Sequence, residues 1–452
     1  MSDPMMPPLS PLGLTAADFA ARWKQAGLRG GVEAGLAAYS RFYRDGDLDL
    51  PPPVAVEIAP IVKRMEEPCD EGLTVKFCQR LDKKIGDSPS PRAADRLPLG
   101  ILSRDDRVEH LDIETVIIPM IGRTRRKTHT MCISSQIGCA MGCEFCETAQ
   151  MGLIRSLTPA EMVGQWWAAR HMLLDQGRGR RPACLPSDLL HTGDDRRDAC
   201  PTEIPVPDRR DARPTDVPEP DGRDACPTEA GKIEINNIVF MGMGEPLDNL
   251  DAVLEAIACL TDDRGPAVPM SNITISTVGR VDGLRRLAEV VKREGWKRLG
   301  LALSVNAPND RVRDQIMPVN KRWDMAELRE AMIELCRVRG NRKVLFEYVL
   351  IPGVNDSRQD ALDLAEWLRP FTRNEHQSHI GLLNVIPYNP RRNSPWPAPD
   401  EARVKEFVDW LADAGVFAKR RRTKGRDQMA ACGQLGTAEI RQRRFTPADH
   451  NA

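Results

Sequence analysis

Six times along this chain a short apolar, β-branched run is followed by a stretch with helical apolar spacing, and this alternation limits the fold most tightly. The pairs are Met131-Cys-Ile-Ser-Ser then 158–174, Ile238–Met241 then 249–261, and Ile273–Ser276 then 281–293. Gly300–Ser304 then 325–338, Val344–Leu350 then 357–369, and Gly381–Ile386 then 400–414 complete the series. Strands that alternate with helices imply a parallel sheet joined by helical crossovers. Six units are too few for a closed eight-unit barrel, so the expected class is α/β, a partial (β/α)6 TIM-like barrel. In such folds the chemistry gathers at the C-terminal ends of the strands.

The flanks of this rhythm divide the chain of 452 residues further. Helical patterning from residue 14 to about 66, with Thr15 fitting an N-cap, predicts a small N-terminal helical domain over 1–70. A β segment follows over 71–118, carrying the runs Thr74–Cys78 and Ile113–Ile118 with a polar, proline-bearing loop insertion between them at 87–107. The alternating core spans 119–420, and a C-terminal loop over 421–452 carries Cys432. Residues 178–231 interrupt the core with a 13-residue near-repeat: Arg196-Arg-Asp-Ala-Cys-Pro-Thr-Glu203 recurs from Arg209 and from Gly222. The unit has no apolar residues to stack, so a large disordered insertion is expected, and Cys200 and Cys226 within it receive no role.

The apolar runs are too short to span a membrane, and the N-terminus lacks a basic start and an apolar export core, so the expected location is cytoplasmic, without membrane contact. Twelve cysteines in a reducing compartment read as metal ligands, catalytic thiols or small buried groups rather than a disulfide scaffold. A formal net charge of −1 says nothing for or against a polyanionic partner. Two basic runs, Arg123–Lys127 and Lys419–Arg426, flank the candidate chemistry. Each reads as a solvated loop on its own, and their position favours phosphate contacts.

The most specific local signal is Gly138-Cys139-Ala-Met-Gly-Cys143-Glu-Phe-Cys146, a C-x3-C-x2-C loop between a strand and a helix. Three thiolates on one tight loop suit three irons of a 4Fe–4S cube, whose fourth iron stays open to a substrate. Structural zinc would want a fourth ligand nearby, and His171 and Cys184 lack finger-like spacing. One strand–helix unit later, Met241-Gly-Met-Gly-Glu245-Pro offers glycines for close backbone approach and a carboxylate for an amino group.

The cysteine loop resembles that of the radical S-adenosylmethionine (SAM) superfamily, and the resemblance narrows over a longer constellation. Thr130-Met-Cys132-Ile-Ser-Ser-Gln-Ile-Gly-Cys139, Gly242–Leu247, Ile275–Thr277, Ala302–Ser304, Asn309-Asp310, Met317–Lys321 and Ala430-Ala-Cys432-Gly-Gln-Leu435 appear in the order seen in the RlmN/Cfr family. The match covers roughly 113–436 without the insertion. It implies a radical SAM core that methylates an adenine carbon, C2 or C8, in structured ribosomal or transfer RNA. It implies two SAM molecules per turnover, a 4Fe–4S cluster on Cys139, Cys143 and Cys146, and an electron donor such as flavodoxin or ferredoxin. A monomer is expected.

The resemblance also assigns roles. The first SAM methylates Cys432, and the second supplies a radical that takes a hydrogen from that methyl. The resulting carbon adds to the adenine ring, Glu114 removes the ring proton, and Cys132 attacks the sulfur of Cys432 to free the base with closure of a disulfide. By position, Gly244, Glu245, Ser276, Ser304, Val305, Asn306 and Asn389 contact SAM. Read locally, Cys132 is a strand core residue, Cys432 a small apolar group beside two alanines, and Glu114 a surface carboxylate on an edge strand. The chain departs from the family at Asn306, where His is usual, and at Glu147, where a small residue is usual. Two other functions compete: a radical SAM enzyme with a non-RNA substrate, and a non-catalytic RNA-binding paralogue. The Cys432, Cys132 and Glu114 set argues against both.

Overall fold

The computed structural model describes residues 9–81, 111–121, 127–173, 235–372, 380–391, 393–421 and 433–436. Ten strands form one open sheet in the order β1 (Ile61–Cys69), β2 (Gly72–Leu81), β3 (Leu111–Ile121), β4 (Lys127–Cys132), β7 (Ile235–Phe240), β8 (Ile273–Thr277), β9 (Gly300–Ser304), β10 (Val344–Leu350), β11 (Gly381–Pro387) and β12 (Ala418–Arg420). β5 (Gln136–Gly138) and β6 (Leu153–Ser156) make a separate antiparallel pair. From β4 to β12 every pairing is parallel, whereas β1 to β4 run antiparallel.

All six expected strands are present in the expected order, each crossing over through its helix. The crossovers are α4 (Pro159–Ala168), α5 (Leu250–Thr261), α6 (Val281–Val290), α8 (Met325–Val338), α9 (Arg358–Thr372) and α10 (Glu401–Asp413), with two short helices at the strand ends, α3 (Glu147–Gln150) and α7 (Asp310–Ile316). The start of α4 shows why the chain turns helical there. Thr158 caps the nitrogen of Glu161, Glu161 reaches back to Thr158, and Pro159 occupies a first-turn position that needs no N–H donor. On α6, Leu284, Leu287 and Ala288 are buried and Arg285 and Arg286 are exposed, the 3.6-residue pattern of a helix laid on a sheet.

Three features differ from the reading of the sequence. Helical structure near the N-terminus stops at Asp45, where α2 (Gly31–Asp45) follows α1 (Ala16–Gln25), and 61–69 is a strand. Exposure along β1 alternates from Arg64 to Cys69, the pattern of a sheet edge rather than of a helix. The β segment at 72–121 is continuous with the main sheet, because β3 pairs with β4 through Val116 and Cys132. A seventh parallel strand, β12, pairs with β11, and its three residues are too short and polar to announce themselves.

The N-terminal helices share the core with the barrel. Thr15 caps α1, accepting from Asp18 N. Phe42 stacks on Trp167 of α4 at 5.5 Å, the Trp167 indole donates to Phe42 O, and Ala16 N donates to Asp262 beyond α5. Stacked aromatic pairs add roughly 0.5–1.5 kcal/mol beyond area burial, so this seam binds the helices firmly to α4. Among the described residues no helix is long and apolar enough to cross a membrane. The insertion at 178–231, with Cys184, Cys200 and Cys226, the loop at 87–107, Cys432 and most of the two basic runs lie outside the described residues.

Candidate active site at the strand ends

The cysteine loop leaves β5, carries Cys139, Cys143 and Cys146, and enters α3 directly after Cys146. The β5–β6 pair clamps its base. Cys139 N donates to Gly152 O, and Gly138 has φ +72° with its face against that same oxygen, where a Cβ would lie at 1.8 Å. Only glycine fits. Cys139 and Cys143 are buried, Cys146 is half-buried, and all three line one cavity. Burial pushes all three thiols above the usual range, most strongly at Cys139 and Cys143, where neighbouring sulfurs add to it.

Buried thiols that resist ionising as neighbours suit a metal that binds them as thiolates. Among the described residues no three His, Cys, Asp or Glu side chains converge on a point that one ion could share. A cubane takes its thiolates at separate corners, and three cysteines from one loop that line one cavity supply the three it needs. His171 is engaged elsewhere, at Tyr43 O and the Trp167 ring.

The cavity sits at the C-terminal ends of the parallel strands, where the fold predicts it. Five of the seven residues expected to contact SAM line it: Glu245 after β7, Ser276 on β8, Ser304 on β9, Asn306 after β9 and Asn389 after β11. Gly244 and Val305 do not line it. Gly244 has φ +105° and abuts Gln136, where a Cβ would fall 2.6 Å from the Gln136 Cβ. Val305 is fully buried, and its N–H donates to Glu347 O. Gly242 likewise packs on Ile133 O, so the glycines of this motif serve the close packing of β7 on the β4–β5 connection. Asn306 adopts φ +52°, accepts from Val349 N and receives Asn355 on its own carbonyl. Asparagine is among the residues that tolerate that backbone conformation best.

Glu245 is 2% exposed, and burial pushes its carboxyl up to about 7. The N–H groups of Leu247 and Val278 each donate to one of its oxygens, and Thr277 helps, yet desolvation outweighs these donors. A cation or amino group brought into the cavity would tip this balance toward the carboxylate.

Glu114 and Cys132 lie on one face of adjacent strands. The register sets Lys76 opposite Val116, Cys78 opposite Glu114, and Val116 opposite Cys132. Side chains alternate along a strand, so Lys76, Cys78, Glu114 and Cys132 share a face, with Glu114 and Cys132 diagonal neighbours. The opposite face is covered by α4, whose Gln165 clamps Thr115 and both backbone groups of Ser134. Glu114 is therefore on an interior strand and 3% exposed, which overturns its local reading as an edge-strand surface group.

The segment after Cys432 joins these parts. Gly433 O accepts from Glu147 N, Leu435 O accepts from the Thr148 hydroxyl, and Gly436 N donates to Glu114 at 2.7 Å. Gly433 and Leu435 line the cavity. Thus the residues that follow the cluster loop, those that follow Cys432, and Glu114 are in direct contact.

Several participants escaped the sequence. Glu347 of β10 lines the cavity and pairs with Arg421 at 3.0 Å. Arg420 pairs with Glu401, so two members of the second basic run pair with the protein's own carboxylates. Arg313 of α7 is fully buried, bonded to Val305 O, Val278 O and Asn320, and the nearby Cys143 sulfur acts on its charge. A lysine amid the apolar run 74–78 was the one visible signal for Lys76.

Comparison with known proteins agrees with this geometry. The radical SAM superfamily pattern matches residues 228–365, beginning where the proline-rich repeats end. The "Probable dual-specificity RNA methyltransferase RlmN 1" of Protochlamydia amoebophila is 34% identical over 75% of this chain and 73% of its own length. The "Dual-specificity RNA methyltransferase RlmN" of Desulfotalea psychrophila is 36% identical over 72% of each chain. Among solved structures, a radical SAM methyltransferase from Sphaerobacter thermophilus superposes with a TM-score of 0.65 at 29% identity, covering 93% of this chain and 97% of that one. With the cysteine loop, the open sheet and the strand-end cavity in place, the chain belongs to the RlmN family of radical SAM methyltransferases.

Proposed function

We propose that this protein methylates an adenine carbon, C2 or C8, in structured ribosomal or transfer RNA, carrying the methyl on Cys432 before delivery. The observation that carries the reading is that the segment following Cys432 bonds both to the residues directly after the cysteine loop, at the cavity, and through Gly436 to Glu114. Two curated relatives are named as RNA methyltransferases, which supports the substrate class.

A 4Fe–4S cluster on Cys139, Cys143 and Cys146, with SAM bound to it, supplies one-electron cleavage of SAM and hence a hydrogen-abstracting radical. Glu245 accepts hydrogen bonds from the amino group of SAM, while Ser276, Ser304, Asn306 and Asn389 hold its polar groups at the strand ends. The methyl on Cys432 presents its carbon to the adenine ring, to which it becomes joined. Glu114 takes the ring proton. Cys132, on the same sheet face, attacks the sulfur of Cys432 as a thiolate; a disulfide forms, the carbon–sulfur bond breaks with its pair on the methylene carbon, and that carbon takes a proton to leave the base methylated. A single chain suffices, working in the cytoplasm with a small flavin or iron–sulfur protein as electron donor.

The test is a stalled intermediate. Cys132→Ala should still accept a methyl on Cys432 and then stop with RNA attached, seen as a slow-migrating species that nuclease removes. Cys132→Ala combined with Cys432→Ala should show no such species. Normal turnover by Cys132→Ala without an adduct would refute the resolving role.

A further inference from the structure

Lys76 is an anomaly by its burial alone. It is 3% exposed in a strand whose neighbours Thr74, Val75, Phe77 and Cys78 are also buried. An ammonium in such a place is sustained only by a partner and further acceptors. Its partner is Glu114, with Nζ 3.0 Å from Oε2, reached diagonally across the β2–β3 register. That same oxygen accepts Gly436 N at 2.7 Å. Below the carboxyl, Glu114 is fixed again, because the Ser134 hydroxyl donates to its backbone oxygen at 2.7 Å. Oε2 therefore meets a backbone donor from the segment after Cys432 and an ammonium from β2, two different elements.

A carboxylate with one oxygen doubly held cannot rotate about its terminal torsion without losing both bonds. Its other oxygen is thereby aimed. The direction matters for proton removal, which needs the base within hydrogen-bond reach of the proton it takes. The loop that carries Cys432 is docked by the same oxygen, four residues downstream of that cysteine. Orientation of the base and seating of the methyl carrier thus share one anchor.

We propose that Lys76 is a positioning residue for methyl transfer: with Gly436 it fixes Oε2 of Glu114, so that Oε1 meets the ring proton of the adenine joined to Cys432. This deepens the function proposed above and rests on it. In the step concerned the ring C–H bond breaks, the proton passes to Oε1, the bonding pair restores the aromatic ring, and the adduct's unpaired electron leaves to a one-electron acceptor, the oxidised form of the flavin or iron–sulfur carrier proposed above. Lys76 touches neither substrate nor SAM in this scheme. It acts through Glu114.

The experiment uses full-length, cluster-loaded protein in the Cys132→Ala background, with RNA deuterated at the target carbon. In that background the trapped adduct should lose its deuterium, since Glu114 is intact. Adding Lys76→Met should leave methylation of Cys432 and SAM cleavage in place and slow deuterium loss from the adduct at least tenfold. Lys76→Arg keeps a cation and a donor at the site, folds without an uncompensated carboxylate, and should restore much of the loss. A merely structural role would lower thermal stability without retaining deuterium in the adduct. Equal deuterium loss with and without Lys76→Met overturns the proposal, as does failure of Lys76→Arg to recover any of a rate lost in Lys76→Met. If the Cys132→Ala control forms no adduct, the proposed function itself has failed, and the two failures are distinct.

Discussion

Glu245 links the cavity to pH in a direction that can be worked out. Its carboxyl, ordinarily near 4.5, is pushed up to about 7, chiefly by burial and partly by the charge of Asp248. At 1.36 kcal/mol per unit, ionising it in the empty cavity costs roughly 3 kcal/mol more than in water. Because the folded value is raised, the protonated group contributes stability that is fully present below about 4.5 and is lost as pH rises through about 7. Binding works the other way. If ionised Glu245 accepts from the amino group of SAM, binding below pH 7 must first release one proton. Affinity of the cluster-loaded protein for SAM should then be level just above pH 7 and weaken up to tenfold per unit below it. Glu245→Gln should bind more weakly near neutrality and lose this slope, since an amide does not titrate. Equilibrium binding from pH 5.5 to 7.5 on both proteins decides the matter. A flat profile in the natural protein, or the same slope in Glu245→Gln, would show that Glu245 is not the group that meets SAM.

Two further outcomes follow from the loop geometry and the composition. Gly138→Ala should keep the far-ultraviolet signature of the sheet but lose at least half of the four irons per chain expected for the cubane, because a methyl cannot sit against Gly152 O at 1.8 Å; full iron uptake would refute the clamp. Replacing 178–231 with a short Gly/Ser linker should leave methylation of Cys432 unchanged, since loop-closure entropy varies by only about 0.6 kcal/mol per halving of length; loss of soluble protein or of methyl transfer would assign that segment a working role.

What was legible in the sequence was local. The six strands of the parallel sheet could be read because runs such as Ile273–Thr277 and Val344–Leu350 are buried on both faces and bounded by helices whose buried residues recur every three or four positions. The three cluster cysteines could be read because their spacing lies within one loop. β12 and β1 could not, being edge strands with mostly exposed or half-buried residues and no apolar signature. Gly244 and Val305 stand outside the cavity lining, packed against Gln136 and bonded to Glu347 O, and sequence order does not separate such positions from lining ones.

The remainder of the site depends on register. Gly436 meets Glu114 across 322 positions and Leu435 meets Thr148 across 287, distances over which no periodicity carries information. Which face Glu114 takes is settled by parity. The pairs Cys78–Glu114, Lys76–Val116 and Val116–Cys132 set a carboxylate, its lysine and a thiol on one side, and Thr115 on the side of α4. A slip of one residue between β3 and β4 would turn Glu114 toward the helix and Thr115 toward Cys132, leaving a buried carboxylate without its lysine. The buried pair of Lys76 and Glu114 is thus a cost that only this register offsets, and the register that offsets it is the one that brings the Glu114 carboxylate beside the Cys132 thiol.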